Sequence, residues 1–260
     1  MNLTAAEMMT WVSSLMWPFM RVGAMFAAAP ILGTRSIPVR VRILLAVIIS
    51  WILVPIIPPP PVMDLLSAQA LLVSLQQVLI GLSSGFILQM VFAAFVVGGQ
   101  MVAMGMGLGF ASIIDPQNGV QVPVISQVFL VMVTLIFLSL NGHLVLIEML
   151  ADSFHTLPVG VIGVSRDGLW QLLAWGGQMF AGGVLVALPA VTALLLVNIA
   201  FGVTARAAPQ LNIFAVGFPV MILVGFVFLF LSLPTITTHL SGLMMDAFEL
   251  IRRHILSGGP

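Results

Sequence analysis

The stretch Gly98 to Gln127, GGQMVAMGMGLGFASIIDPQNGVQVPVISQ, decides how the rest of the chain is read. Leu65 to Val97 before it and Val128 to Leu140 after it are almost wholly apolar, so it is tethered at both ends to segments that leave water. It holds glycines at 98, 99, 105, 107, 109 and 119, prolines at 116 and 123, one acid, Asp115, and four glutamines. Glycine opens φ values closed to other residues, and proline removes a backbone donor and stops a helix. The composition therefore predicts an irregular, non-helical connector. Backbone of that sort is tolerated at membrane depth only where protein buries it or where it lines a water-filled path. A pore lining or a plug is the first function it implies.

Of the 260 residues, 61% are hydrophobic and 6% charged, and mean hydropathy is +1.22, whereas soluble domains carry about 25% charged residues. The chain reads as an all-α integral membrane protein in contact with membrane lipid. Eight acids balance eight bases, so the charge gives no reason to expect nucleic acid as a partner. Every base is arginine. Cysteine is absent, which excludes disulfides, thiolate metal sites and a cysteine nucleophile. Tyrosine is absent too, leaving interfacial anchoring to Trp11, Trp17, Trp51, Trp170 and Trp175. No basic residue precedes Arg21, and Glu7 lies where a signal peptide would be basic, so no cleaved leader is expected.

Thr4 to Glu7 reads as a capping box opening a first helix that runs to about Ala29 and carries Pro18 and Arg21. An arginine inside such a helix costs from about 2.5 kcal/mol upward in lipid. Arg21 is thus expected to face protein or water, held by interhelical hydrogen bonds to backbone carbonyls rather than acting on a transported species. After a basic turn at 30–42 comes a second apolar segment, Val41 to Ile57, ended by Pro58 to Pro61, a stiff extended spacer. Asp64 is the expected cap of a third helix from Leu65 to Val97, about 33 residues and roughly 50 Å long. That exceeds a bilayer core of about 30 Å. The helix is expected either to break near Gly81 and Gly85 or to be a long hairpin arm, and Gly81-x-x-x-Gly85 also permits close helix approach.

Ile125 to Ile147 follows as a helix, then a polar loop holding Glu148, Asp152, His155 and Pro158 and reaching Asp167, the expected cap of a helix with Trp170 and Trp175. Two apolar segments remain, Gly176 to Gly202 and Ile213 to Leu233, giving six spans. In the tail, Leu240, Leu243, Met244, Ala247, Phe248, Ile251 and Ile255 recur at helical spacing opposite Asp246, Glu249, Arg252 and Arg253, which predicts an amphipathic helix. The arginines split four against three between the two sides, so they do not set the orientation.

No enzyme is legible. His143 and His155 flank Glu148 and Asp152 at a spacing that fits no zinc pattern. Ser139, Asn141 and His143 lack the Gly-x-Ser-x-Gly turn of a serine nucleophile. Gly105-Met-Gly107-Leu-Gly109 lacks the lysine of a P-loop and the strand of a dinucleotide site. No cofactor is expected. A small-solute permease is the alternative reading, but paired repeats and midplane charges are missing apart from Arg21.

Four motifs in order, GGQMVAMGMGLGFASIIDP (98–116), NGH (141–143), FHTLP (154–158) and RAAPQLNIFAVGFP (206–219), resemble the FliR/SctT export-gate family of type III secretion systems, in its flagellar branch. The resemblance runs along essentially the whole chain. It implies one subunit of a FliP–FliQ–FliR assembly in the bacterial inner membrane at the flagellar basal body. A FliP-like part (1–175) would be followed by a FliQ-like hairpin (176–260) with the amphipathic tail helix. FlhB-like and FlhA-like export components and unfolded protein substrates are implied partners. By matching motif the family's plug falls on Gly105 to Val122: Gly105, Met106, Gly107, Leu108, Gly109, Phe110, Asp115, Pro116, Gln117, Asn118 and Gly119. Met104, Met106 and Phe110 are expected to seal it, with Asp115 to Asn118 as its polar turn. Arg21, Arg206, Gln210 and Asn212 are expected to pack against neighbouring subunits.

Overall fold

The computed structural model describes residues 5–34, 36–61, 63–64, 67–109, 124–208, 210 and 213–257, without the side chains of 5–10 and 213–214. Among them are seven α-helices in chain order, α1 (Ala5–Ala28), α2 (Val39–Leu53), α3 (Ala68–Gly105), α4 (Val124–Ser139), α5 (Gly142–Thr156), α6 (Arg166–Ala207) and α7 (Ile213–Leu250). A π-helical turn, Ile251–Ile255, continues α7. No strand occurs among the described residues. The capping box at Thr4 and Glu7 lies outside the described residues and side chains.

Among the described residues three helices are long and apolar enough to cross a membrane, 68–105, 166–207 and 215–255, and α4 with α5 would make a fourth, broken span. Six spans are not found among the described residues. The second apolar segment forms a helix of only 15 residues, about 22 Å, too short for a bilayer core.

The chain divides into two compact units. The first comprises Met1–Met90, Leu138–Gly176 and Met245–Pro260, the second Val91–Phe137 and Gly177–Met244.

In the first unit α1 and α3 lie side by side with their backbones nearly touching. A Cβ added at Gly85 would sit 2.6 Å from the Met25 carbonyl oxygen and 2.8 Å from the Ala29 nitrogen, and one at Gly81 would overlap the Arg21 carbonyl oxygen. The two glycines do not break α3; they are where α1 is admitted. The cap of α3 is Ser67, whose Oγ accepts from the Ala70 N–H at 3.1 Å, and not Asp64, which lies too far ahead of the first turn. Likewise Ser165, not Asp167, caps α6, accepting from the Gly168 N–H at 2.9 Å.

The expected polar loop after residue 147 is helix. Leu146, Met149, Leu150, Ser153 and Phe154 are buried along one face of α5, while Glu148, Asp152 and His155 occupy the exposed face. Asn141, at φ 56°, makes the turn between α4 and α5, a conformation asparagine tolerates better than most residues. The tail is amphipathic as expected: Met244, Ala247, Ile251 and Ile255 are buried, and Glu249 pairs with Arg253 on the exposed face.

The α1–α2 turn holds a strained residue. Ile31 has φ 70° and is the centre of a γ-turn closed by the Leu32 N–H on the Pro30 carbonyl at 2.8 Å. A β-branched side chain is poorly accommodated there. Arg42 holds the turn, donating from Nε to the Leu32 carbonyl at 2.8 Å and from Nη2 to that of Thr34 at 3.0 Å. Relief of the strain should outweigh the lost side chain, so Ile31→Gly is expected to stabilise the fold by about 1 kcal/mol. A rise in melting temperature checks this.

In the second unit α3 does not end at Val97 but runs on as helix to Gly105, and α4 begins at Val124. The non-helical connector expected over 98–127 is thus shortened at both ends. Gly98 and Gly99 serve packing rather than turning. A Cβ at Gly99 would fall 2.6 Å from the Ser126 Cα, and one at Gly98 would fall 2.9 Å from the Gly183 carbonyl oxygen. Glycine costs a helix interior about 1 kcal/mol relative to alanine, here offset by the contact that its missing side chain allows. Ser126 Oγ donates to the Val96 carbonyl at 3.1 Å, and Phe92 meets Phe137 edge to face with centroids 5.4 Å apart. The helices expected around Trp170 and after Gly176 are one, the 42-residue α6, continuous through Pro189.

Candidate functional site

The connector leaves α3 through a defined cap. The Leu108 N–H donates to the Ala103 carbonyl and the Gly107 N–H to that of Met104, both at 3.0 Å, and Gly107 lies at φ 80°. This is a Schellman ending, and its left-handed residue is ordinarily glycine for want of a Cβ clash. Gly107 therefore has a fixed task, to stop α3.

The cap rests on two further helices of the second unit. The Leu194 side chain of α6 lies 3.1 Å from where a Cβ of Gly105 would stand, and the Phe218 ring of α7 lies 3.5 Å from that of Gly107. Between them Met106 is wholly buried. Its side chain fills a notch on α7 at Gly225, where an added Cβ would overlap Cγ and come within 2.6 Å of Sδ and 2.7 Å of Cε.

Of the three residues expected to seal the connector, Met104 is 69% exposed and Met106 0%. Met106 is thus an interior residue of this chain, not a side chain presented to a lumen. Gly105, Met106, Gly107, Leu108 and Gly109 are described, whereas Phe110, Asp115, Pro116, Gln117, Asn118 and Gly119 lie outside the described residues. Among the residues expected at subunit contacts, Arg206 and Gln210 are exposed and Asn212 lies outside the described residues.

Arg21 is placed differently. It is wholly buried in the first unit, so its contacts are made inside this chain. Its Nε donates to Gln77 Oε1 at 2.8 Å, Nη1 to the carbonyl and Oγ of Ser153 at 2.9 and 3.0 Å, and Nη2 to the Leu157 carbonyl at 2.9 Å. The guanidinium also lies 4.1 Å from the centre of the Phe154 ring. The carbonyls of Ser153 and Leu157 belong to the last turn and cap of α5, the negative end of that helix's dipole. A cation in an apolar helix is thereby held without a carboxylate.

The interhelical carbonyls around Arg21 follow from the need to satisfy a buried charge. Leu194, Phe218 and Gly225 have no such signature, because an apolar residue or a glycine in an apolar helix reads alike whether it meets lipid or protein. No group of three or more metal-ligating side chains is found among the described residues.

A helical chain with several membrane-length apolar helices, a buried arginine held by carbonyls and a capped glycine-rich connector is an all-α integral membrane protein. The chain belongs to the bacterial export proteins, family 1, which it matches over residues 12–247. It is similar to the flagellar biosynthetic protein FliR of Escherichia coli strain K12, with 37% identity over 96% of both chains. Similarity extends to the proteins of that name from Aquifex aeolicus, at 33% over 94% of both chains, and Bacillus subtilis, at 31% over 90% of this chain and 91% of the relative.

Proposed function

We propose that this chain is a non-enzymatic subunit of the flagellar type III protein export gate in the bacterial inner membrane. It forms an entry pore for unfolded flagellar proteins with FliP-like and FliQ-like subunits, beside FlhB-like and FlhA-like components. Residues 1–175 are its FliP-like part and 176–260 its FliQ-like hairpin. The connector from Gly105 to Val122 is the plug, with Met104 and Phe110 at its seal and Asp115 to Asn118 as its polar turn. The observation that carries this reading is the capped footing of the connector between α6 and α7, in a chain whose relatives are flagellar biosynthetic proteins. A permease gains no support from Arg21, whose guanidinium is committed to carbonyls of this chain.

Deleting residues 110–119, which leaves the cap of α3 intact, is expected to make the assembled gate leak small ions. Baseline conductance in a gate of normal yield would exclude the plug. Arg206, Gln210 and Asn212 hold the turn between α6 and α7 against a neighbouring subunit. Arg206→Ala should therefore lower the recovery of the hetero-oligomer in mild detergent, and unchanged recovery and export remove that role.

A further inference from the structure

We propose that Met106 and Gly225 form a knob and notch that act as the fixed footing of the connector, so that Met106 is a positioning residue for closure rather than part of the seal. The inference rests on the reading of the connector as a plug and adds where that plug is hung.

Three observations converge on this pair. Met106 has no exposed surface although it stands one residue past the end of α3, where helix-terminal side chains are ordinarily free to move. Its thioether occupies the space that any Cβ at Gly225 would need. The backbone that carries it is fixed on both sides, by the Met106 N–H on the Val102 carbonyl at 2.9 Å and by the two cap hydrogen bonds that follow.

Methionine has three rotatable bonds and a polarizable sulfur, and adapts to irregular gaps. Held on every side, it loses that freedom and becomes a peg. At Gly109 the atoms nearest an added Cβ are those of Met104, at 3.6 and 3.9 Å. The contacts made with α6 and α7 at Gly105, Met106 and Gly107 constitute the footing.

A methionine that merely fills the interior and one that positions the connector respond differently to exchange of knob and notch. The clash created by Gly225→Ala falls on a flexible side chain rather than on backbone, so α7 can stay in place while Met106 is driven out. In purified assembled gates, Gly225→Ala is expected to raise small-ion leak above the wild-type baseline. Gly225→Ala with Met106→Ala removes the peg itself, so the leak should stay above baseline, and a return to baseline would show that the peg is dispensable and overturn the proposal. If Gly225→Ala lowers the melting temperature while leak stays at baseline, Met106 is interior filling and the proposal fails.

A cysteine pair gives a second test should the exchange variants not assemble. The chain has no cysteine of its own, and because the place of a Cβ at Gly225 is taken by Cγ of Met106, one bond from its own Cβ, the two Cβ atoms fall within about 4 Å, a separation a disulfide can bridge. Met106→Cys with Gly225→Cys should cross-link on oxidation, and export should continue with the bond closed, because a footing does not move. No cross-link, or export that stops until a reductant is added, overturns the fixed footing. The 110–119 deletion separates the two readings. If the deletion leaks and Gly225→Ala does not, the footing is wrong; if neither leaks, the plug itself is wrong.

Discussion

Arg21→Ala is expected to be the most damaging single substitution in the first unit, lowering both melting temperature and yield. The guanidinium joins α1 to α3 through Gln77 and to the end of α5 through Ser153 and Leu157. Its removal strands Gln77 Oε1 and the Leu157 carbonyl, at about 1–3 kcal/mol each where nothing replaces the lost partner, while the Ser153 carbonyl keeps the Leu157 N–H. It also removes the cation from the negative end of the α5 dipole and opens a void beside Phe154. A total loss of about 3 kcal/mol or more is a large fraction of the roughly 5–15 kcal/mol that separates folded from unfolded domains. Arg21→Lys should recover only part of it, since an ammonium cannot reproduce the planar fork that reaches three partners at once. Thermal melts of the three forms in one detergent check the order, and equal melting temperatures would contradict it.

Gly85→Ala is also expected to have a large effect, and here the neighbours cannot yield. The added methyl would meet the carbonyl oxygen of Met25 and the nitrogen of Ala29 at 2.6 and 2.8 Å. Both are backbone atoms of α1 and its end, so the helices must separate, and with them the register that brings Arg21 to Gln77. Overpacking of this kind costs about 1–3 kcal/mol and occasionally more. Gly177→Ala and Gly202→Ala are the internal controls. Both positions lie inside α6 with nothing within 4 Å of an added Cβ, so the better helix former should stabilise them by up to about 1 kcal/mol. One substitution made at three glycines of long apolar helices should thus change sign with the neighbour alone. Loss of melting temperature at all three would show that the α1–α3 approach is not what makes Gly85 special.

The same contrast explains what could be read from the sequence. Hydropathy and glycine content located the long helices and the connector between them, because lipid and water impose composition directly. The limits of the connector were misplaced at Gly98 and Gly99, since a glycine that permits a turn and one that admits a neighbour's backbone look the same until Ser126 and Gly183 are seen opposite them. Glu148, Asp152 and His155 suggested a loop, yet they are the outer face of a helix whose inner face, from Leu146 to Phe154, keeps strict helical spacing. Arg21 was the most legible residue, since a charge in an apolar helix must be satisfied. Its partners, up to 136 residues away, were not. Met106 carried no mark separating it from Met104, for in a membrane protein apolar surface is as acceptable outside as inside.

α6 and the 41-residue run from Ala215 to Ile255 each extend about 60 Å, roughly twice the thickness of a bilayer core, yet only 22% of the most apolar window of each is buried within the chain. Their exposed flanks, rich in large apolar side chains such as Leu195, Leu196, Leu223 and Phe230, are too long for lipid alone to cover and too apolar for water. A copy made without neighbours is thus left with surface that no solvent suits. On the proposed reading as a gate subunit, such a chain would keep its own inventory: copies that find neighbours would persist, and surplus copies would be exposed to aggregation and proteolysis.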